Sequence, residues 1–349
     1  VTAGPPLLDG TCPSCGQVIA GSDSFCEACG TELAPPVAST EPDGYTPHCP
    51  VCSVDPAITP GAISAEGYCE SCGRKAPSGR DHIELDLMLV AGVTDRGLRH
   101  TRNEDAMAMA TADTPAGPVA IAVVCDGVST SPRPDEASLA AAQAAVRALL
   151  AAARRGEDPV QASPVAVRAA HQALSALATP GEAPSATYVS AIVSGQGITL
   201  SWLGDSRVYW LGADGHAMRL STDDSMAEEL VAQGRMNEAD ALASPQAHVI
   251  TRWLGADLDE VHPHVLRVEP LGPGVVLVCS DGLWNYRPEA AGLAQLALPA
   301  ALTEPLSAAA TLVKFALDAG GMDNITALLV PFPPQAIPPR TVPARRLAT

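Results

Sequence analysis

Cysteine and aspartate are the two residue types whose placement in this chain could do chemistry. Eight of the ten cysteines lie before residue 73, in four Cys-x-x-Cys pairs: Cys12/Cys15, Cys26/Cys29, Cys49/Cys52 and Cys69/Cys72. Thiolates at that spacing can face one ion, and two such pairs complete the tetrahedral four-cysteine set that holds zinc. The intervals are short, 10 residues between Cys15 and Cys26 and 16 between Cys52 and Cys69, so neighbouring pairs can meet. A small residue follows each pair (Gly16, Gly30, Ser53, Gly73), which leaves backbone N–H groups room to approach sulfur. A redox Cys-x-x-Cys occurs once, within a βαβ pattern, rather than four times in Pro- and Gly-rich sequence. A disulfide framework needs an oxidising compartment, and no export signal is visible. The expectation is two zinc ribbons, at 1–34 and 49–76, holding two structural Zn2+ and folding only with the metal. Whether ligands cross between the two units stays open at this level.

The aspartates stand at strand ends. Val123-Val124-Cys125 leads into Asp126-Gly127, and Val276-Leu277-Val278-Cys279-Ser280 into Asp281-Gly282. Each apolar run thus delivers a carboxylate followed by a Gly that permits close backbone approach. Asp205 follows Trp202-Leu203-Gly204, Asp323 stands between Gly320-Gly321-Met322 and Asn324-Ile325, and Asp105 closes the turn Arg102-Asn103-Glu104. One Asp after a strand is ordinarily a turn residue. Five that converge repel one another unless hard cations lie between them, and Mg2+ or Mn2+ suits an all-oxygen cage. Convergence itself cannot be read from the sequence.

The elements that must position these acids begin near residue 83. β-rich runs occur at Ile83–Val93, Ala106–Ala110, Val119–Cys125, Tyr188–Val193, Ile198–Leu203, Arg207–Leu211, Val265–Val268, Val275–Cys279 and Ile325–Val330. Helical spacing appears at Asp135–Arg155, Val165–Ala178 and Glu304–Ala319. Strands follow one another directly between residues 185 and 211. The expected fold is therefore α+β, an antiparallel β-sandwich flanked by helices over 83–332, preceded by two small zinc ribbons. Pro-rich linkers are expected at 35–48 and 77–82, and a flexible Pro/Arg-rich tail at 333–349.

With 349 residues, 47% hydrophobic and 17% charged, the chain can bury a large core, which excludes the disordered class. Its 21 Lys+Arg against 39 Asp+Glu give a formal charge of −18. Arg74, Lys75 and Arg80 are the cations before residue 86. That balance disfavours gripping nucleic acid and leaves docking of a protein partner, or a purely structural role, as the expectation for the ribbons. No apolar run approaches the ~20 residues of a membrane span. A cytoplasmic monomer is expected.

Five segments now carry a resemblance. Thr94-Asp95-Arg96-Gly97 with Asn103-Glu104-Asp105, Val124-Cys125-Asp126-Gly127, Leu203-Gly204-Asp205-Ser206-Arg207, Cys279-Ser280-Asp281-Gly282-Leu283-Trp284 and Gly320-Gly321-Met322-Asp323-Asn324-Ile325-Thr326 stand in this order. Together they resemble the metal-dependent Ser/Thr protein phosphatases of the 2C type, across about residues 86–332. The cysteine units resemble the double zinc ribbons of bacterial regulatory proteins. The resemblance implies two to three Mn2+ or Mg2+. Asp126 would bridge two of them, with the Gly127 carbonyl, Asp281 and Asp323 as further ligands and Asp105 in the same cluster. Glu104 would act in the outer shell, and Asp205 at a third metal. It also implies a phosphoprotein substrate, hydrolysed by a water activated between the metals with no protein nucleophile.

Two positions depart from the family pattern. His100 stands where relatives usually hold an Arg that grips the phosphate, with Arg99 and Arg102 as compensating candidates. Val128 follows Asp126-Gly127 where some relatives place a His able to protonate the leaving alkoxide. These motivate a rival reading, a pseudophosphatase that binds proteins without turnover. Cys125, Cys279, Trp202, Trp210, Trp253 and Trp284 are expected in the core, His262 and His264 in solvent. The stretch Asp223–Gly234, with Met226, Glu228 and Glu229, is expected beside the active site.

Overall fold

Along Gly117–Asp126 the side chains alternate between two interiors: Ile121, Val123 and Cys125 enter one, Ala120, Ala122 and Val124 the other. That period of two marks a strand covered on both faces. The same alternation recurs in Asp105–Thr114, Gly274–Cys279 and Ile325–Phe332. The result is two stacked sheets between two layers of helices.

The computed structural model describes residues 79–237, 240, 241, 243, 244 and 249–334, and nearer the N-terminus 10, 11, 17–19, 28, 37–39, 49, 51–54, 58–64, 67–74 and 76. The chain divides into two compact units, Val1–Val37 and Ala38–Thr349. In the first, Gly10–Thr11 pairs antiparallel with Val18–Ile19. Cys12, Cys15, Cys26 and Cys29, the ligands expected of the first ribbon, lie outside the described residues, as does most of the expected tail.

In the second unit the strands from residue 82 are β1 (His82–Asp86), β2 (Ala91–Asp95), β3 (Asp105–Thr114), β4 (Gly117–Asp126), β5 (Ser185–Ala186), β6 (Tyr188–Ser194), β7 (Gly197–Leu203), β8 (Arg207–Gly212), β9 (Ala217–Arg219), β10 (Leu254–Gly255), β11 (His264–Val268), β12 (Gly274–Cys279) and β13 (Ile325–Phe332). The helices are α1 (Pro134–Arg154), α2 (Pro159–Ser175), α3 (Met226–Ala232), α4 (Asp281–Trp284), α5 (Ala290–Ala301) and α6 (Pro305–Asp318). The first sheet runs β11-β7-β6-β4-β3, with Ala38 and Ser39 along its outer edge, and the second runs β9-β8-β12-β13-β2-β1. Their strands pair antiparallel. Met107, Val124, Val189, Val276 and Leu328 fill the space between the sheets. The apolar stripe of α1, Ala137, Ala141, Ala145 and Leu149, brings that helix down on the first sheet. Leu293 of α5 and Leu312 and Val313 of α6 do the same for the second. This is the α+β sandwich expected from the sequence.

Several elements differ from expectation for local reasons. The run Ile83–Val93 is two strands, because Asp86 Oδ1 accepts the Met88 N–H at 2.7 Å and turns the chain at Met88, φ 68°. Helix α2 starts at Pro159 rather than Val165: Asp158 accepts the Val160 N–H at 3.2 Å as N-cap, and Pro164 lies inside the helix without ending it. Trp202, Trp210 and Trp284 are buried, whereas Trp253 is half-buried. Among the described residues no helix is long and apolar enough to cross a membrane.

Candidate metal centres

Register alone brings the first two acids together. Asp105 opens β3, Asp126 closes β4, and the two stand opposite each other in the antiparallel ladder. The second sheet supplies two more: Asp281 directly follows β12 and its Ser280, and Asp323 shortly precedes β13, the strand paired with β12. Asp205 lies in the link from β7 of the first sheet to β8 of the second. The cluster therefore sits on the seam between sheets.

Hydroxyl groups cross that seam. Ser280 Oγ and Thr326 Oγ1 each donate to Asp105 Oδ2 at 2.7 Å. Asn103 Nδ2 donates to Thr94 Oγ1 (2.9 Å), which lies 2.7 Å from Thr326 Oγ1 and so extends the relay. Asn285 Nδ2 donates to Asp281 Oδ2 at 3.1 Å. The other oxygens, Asp105 Oδ1 and Asp281 Oδ1, are buried without a hydrogen-bond partner. A buried acceptor left unsatisfied costs about 1–3 kcal/mol, and more when charged.

The electrostatics agree. Burial pushes the Asp105 carboxyl up to about 6, with the charge of Asp323 adding, despite its two hydroxyl donors. Asp126 is raised well above the usual carboxylate range by burial and then by Asp105, Asp281, Asp323 and Asp205. Asp281 rises for the same reasons, burial first and then Asp205, Asp323 and Asp105. Asp205 is pushed up to about 7 by burial and by Asp223. The five acids converge, and Arg207, the cation acting on Asp205, does not offset the burial and repulsion that raise Asp105, Asp126, Asp205 and Asp281. An all-oxygen donor set with two orphaned buried oxygens fits Mg2+ or Mn2+.

The glycines after the acids serve chain packing. A Cβ on Gly127 would come within 2.3 Å of the Pro134 carbonyl oxygen, and one on Gly282 within 2.0 Å of the Asn324 carbonyl oxygen. Glu104, 7% exposed, accepts from Ser129 Oγ at 2.5 Å and lies 3.5 Å from Arg102 Nε. Arg102 also bonds Asp135 at 3.0 Å. His100 Nε2 stands 3.2 Å from Asp323 Oδ1. Arg99 is exposed, and no described residue pairs with its guanidinium.

Sequence reading missed the groups behind these acids. Arg207 is buried, grips Asp223 through Nε and Nη2 (2.6 Å at the shortest), and lies 3.5 Å over the Trp284 ring. Trp284 Nε1 in turn donates to the Asp205 carbonyl at 2.9 Å. His264, expected in solvent, stacks on Trp202 and bonds Asp224 Oδ1 at 2.8 Å, while Asp224 Oδ2 accepts the Gly204 N–H at 3.1 Å. Ser and Thr have no diagnostic spacing; the only available signal was their place beside the Asp motifs.

A separate cluster joins Cys49, Cys52, Cys69 and Cys72, whose sulfurs all lie within 4.8 Å of one another. The two knuckles repeat the same turn: Ser53 N–H bonds the Cys49 carbonyl and Gly73 N–H the Cys69 carbonyl, both at 2.8 Å. Ser53 and Gly73 both have positive φ. The Cys52 N–H donates to Cys49 Sγ at 3.4 Å and is the main cause that brings the Cys49 thiol down to about 6. None of the six described cysteines forms a disulfide.

Comparison with known proteins bears on the aspartate cluster. The model of the protein phosphatase 2C family matches residues 96–315. The serine/threonine phosphatase stp of Listeria innocua is 35% identical over 145 residues, 41% of this chain and 55% of that protein. The serine/threonine protein phosphatase PstP of Mycobacterium tuberculosis is 32% identical over 143 residues, 41% of this chain and 26% of that protein. The chain thus spans about half or less of the length of these curated relatives. Among solved structures, the PPM Ser-Thr phosphatase MsPP of Mycobacterium smegmatis aligns over 70% of this chain and 97% of its own, with TM-score 0.56 and 28% identity. The PstP catalytic domain with two manganese ions aligns over 69% and 97%, with TM-score 0.55 and 28% identity. A family match over more than half its length, on a sandwich that gathers the five acids at one seam, shows that the chain belongs to the protein phosphatase 2C family.

Proposed function

We propose that this chain hydrolyses phosphoserine and phosphothreonine in proteins with Mn2+ or Mg2+. Asp105, Asp126, the Gly127 carbonyl, Asp281 and Asp323 would hold two ions, Asp205 a third, and Glu104 would serve in the outer shell. The observation that carries the reading is the buried carboxylate cluster with Asp105 Oδ1 and Asp281 Oδ1 left without partners. The manganese pair in the solved PstP domain supports it. Divalent ions in such a cage acidify water and neutralise phosphate oxygens.

The chain's own residues fix the geometry. Ser280 and Thr326 hold one oxygen of Asp105, and Asn285 holds one of Asp281, leaving the second oxygen of each for a cation. His100, beside Asp323, offers phosphate a single donor where Arg would offer a fork. Val128 has no transferable proton, so solvent protonates the leaving alkoxide.

For the N-terminal part the reading is two structural Zn2+, one on Cys12, Cys15, Cys26 and Cys29, the other on Cys49, Cys52, Cys69 and Cys72. The sulfur cluster of the second set supports the latter. With few cations there, the ribbons serve to dock a protein partner.

A Mn2+ titration of phosphopeptide hydrolysis tests the catalytic reading. Activity is expected to need added Mn2+ or Mg2+, to vanish with chelator, and to be absent in folded Asp126→Ala. Metal-independent turnover would overturn it, and tight Mn2+ binding without turnover would replace it by the pseudophosphatase reading.

A further inference from the structure

Arg80 stands between the four-cysteine cluster and the aspartates, and its bonds reach under the latter. It is 9% exposed. Its Nη2 donates to the Asp105 carbonyl at 2.9 Å and its Nη1 to the Asp135 carbonyl at 2.8 Å, while its own carbonyl accepts from Asn103 Nδ2 at 3.1 Å. One guanidinium thereby ties the residue that opens β3, opposite Asp126, to the first turn of α1. The next residue is fixed too, since the Asp81 carbonyl accepts the Arg96 N–H at 2.7 Å.

Toward the N-terminus the same strand of chain enters the cysteine knuckles. Ala76 N–H bonds the Gly67 carbonyl at 2.8 Å, and Cys69 N–H bonds the Arg74 carbonyl at 2.7 Å. Ala76 is 5% exposed, so the exit from the ribbon is packed rather than loose. Between Ala76 and Arg80 the sequence places only Pro77, Ser78 and Gly79. A metal that supplies the folding free energy of the ribbon would fix the origin of this segment. Arg80 then fixes the main chain of Asp105, and with it where that carboxylate meets Asp126.

We propose that Arg80 is a positioning residue that couples metal loading of Cys49, Cys52, Cys69 and Cys72 to divalent-metal affinity at Asp105 and Asp126. The coupling rests on the metal-dependent reading above, but its readout does not require catalysis.

The test measures Mn2+ binding to the full chain by electron paramagnetic resonance without substrate, with thermal unfolding in parallel. Arg80→Met is expected to weaken Mn2+ binding about tenfold, as losses behind a metal ligand do. The Cys69→Ser/Cys72→Ser chain should weaken it to a similar degree, and the combination no further than either alone. Arg80→Lys, which keeps the charge but not the fork, should fall between. Unchanged Mn2+ affinity in Arg80→Met with a lowered melting temperature would make Arg80 a structural staple and overturn the proposal. Multiplicative losses in the combined variant would overturn it equally. If Arg80→Met does not fold, Arg80→Lys with and without the cysteine changes decides by the same criteria. A chain that shows the coupling yet hydrolyses no phosphopeptide would sink the phosphatase reading alone.

Discussion

Asp105 is held at one oxygen by two hydroxyls and left bare at the other, and Asp281 repeats the arrangement with one amide. A carboxylate so placed is costly without a cation, so removing one should help the metal-free protein. Asp281→Asn is expected to raise the melting temperature of metal-free protein at pH 8 and to lower Mn2+-dependent activity by about a thousandfold, since metal stabilisation of the transition state is worth several kcal/mol. Retained activity would remove Asp281 from the centre. His100→Arg, restoring a forked donor beside Asp323, is expected to lower KM for a phosphopeptide about tenfold at similar kcat, checked by steady-state kinetics. The aspartates were legible because an apolar run ending in Asp-Gly is a local signal. Ser280, Thr326 and Arg80 were not, because their bonds to Asp105 join residues 175, 221 and 25 positions apart and leave no local trace.

At the scale of elements, the links between strands decide which residues meet. The turn from β7 to β8 carries Asp205 on one side and Arg207 on the other. The buried Arg207–Asp223 pair anchors this turn to the chain entering α3, and Trp284 ties it to α4. Arg207→Met leaves buried Asp223 with only Arg219, at 3.8 Å, among the described residues and is expected to cost about 3 kcal/mol in urea unfolding. Replacing both, Arg207→Met with Asp223→Leu, should recover much of that loss. The strands themselves were readable, since alternation as in Ile121, Val123 and Cys125 survives in the sequence. Helix α5 was not, because Ala290–Ala301 contains Pro299 and lacks a side-chain cap. The break at Met88 was hidden for another reason: it depends on one Asp86 side-chain bond inside an apolar stretch.

For the whole molecule, the clustered acids make stability depend on pH and metal together. Asp105 has its pKa raised from 3.8 to about 6 and Asp205 to about 7, so folded protein free of divalent metal keeps protons that the unfolded chain has released. Stability should therefore fall as pH rises from about 4 to about 7, by on the order of 3 kcal/mol for Asp105 alone. Protein dialysed free of Mn2+ and Mg2+ is expected to melt lower at pH 8 than at pH 5, with added Mn2+ reversing the order. A flat profile would mean that burial in the cluster does not raise these carboxyl groups. Chelating the zinc proposed for the cysteine knuckles should melt them in an earlier transition, read as loss of amide protection at 67–74. The seam has one more consequence. Asp105 and Asp126 belong to one sheet, while Asp281 and Asp323 flank strands of the other, so the ions would act as a caliper on the gap between layers. Mg2+ demands oxygens at about 2.0–2.1 Å in near-octahedral order, a narrower tolerance than larger ions impose. Side chains that set the gap without ligating anything, such as Met107, two residues along β3 from Asp105, and Leu328 in β13, would thereby become determinants of ion choice. Thinning that filling with Leu328→Ala should shift the ratio of Mg2+- to Mn2+-supported activity while leaving every ligand in place.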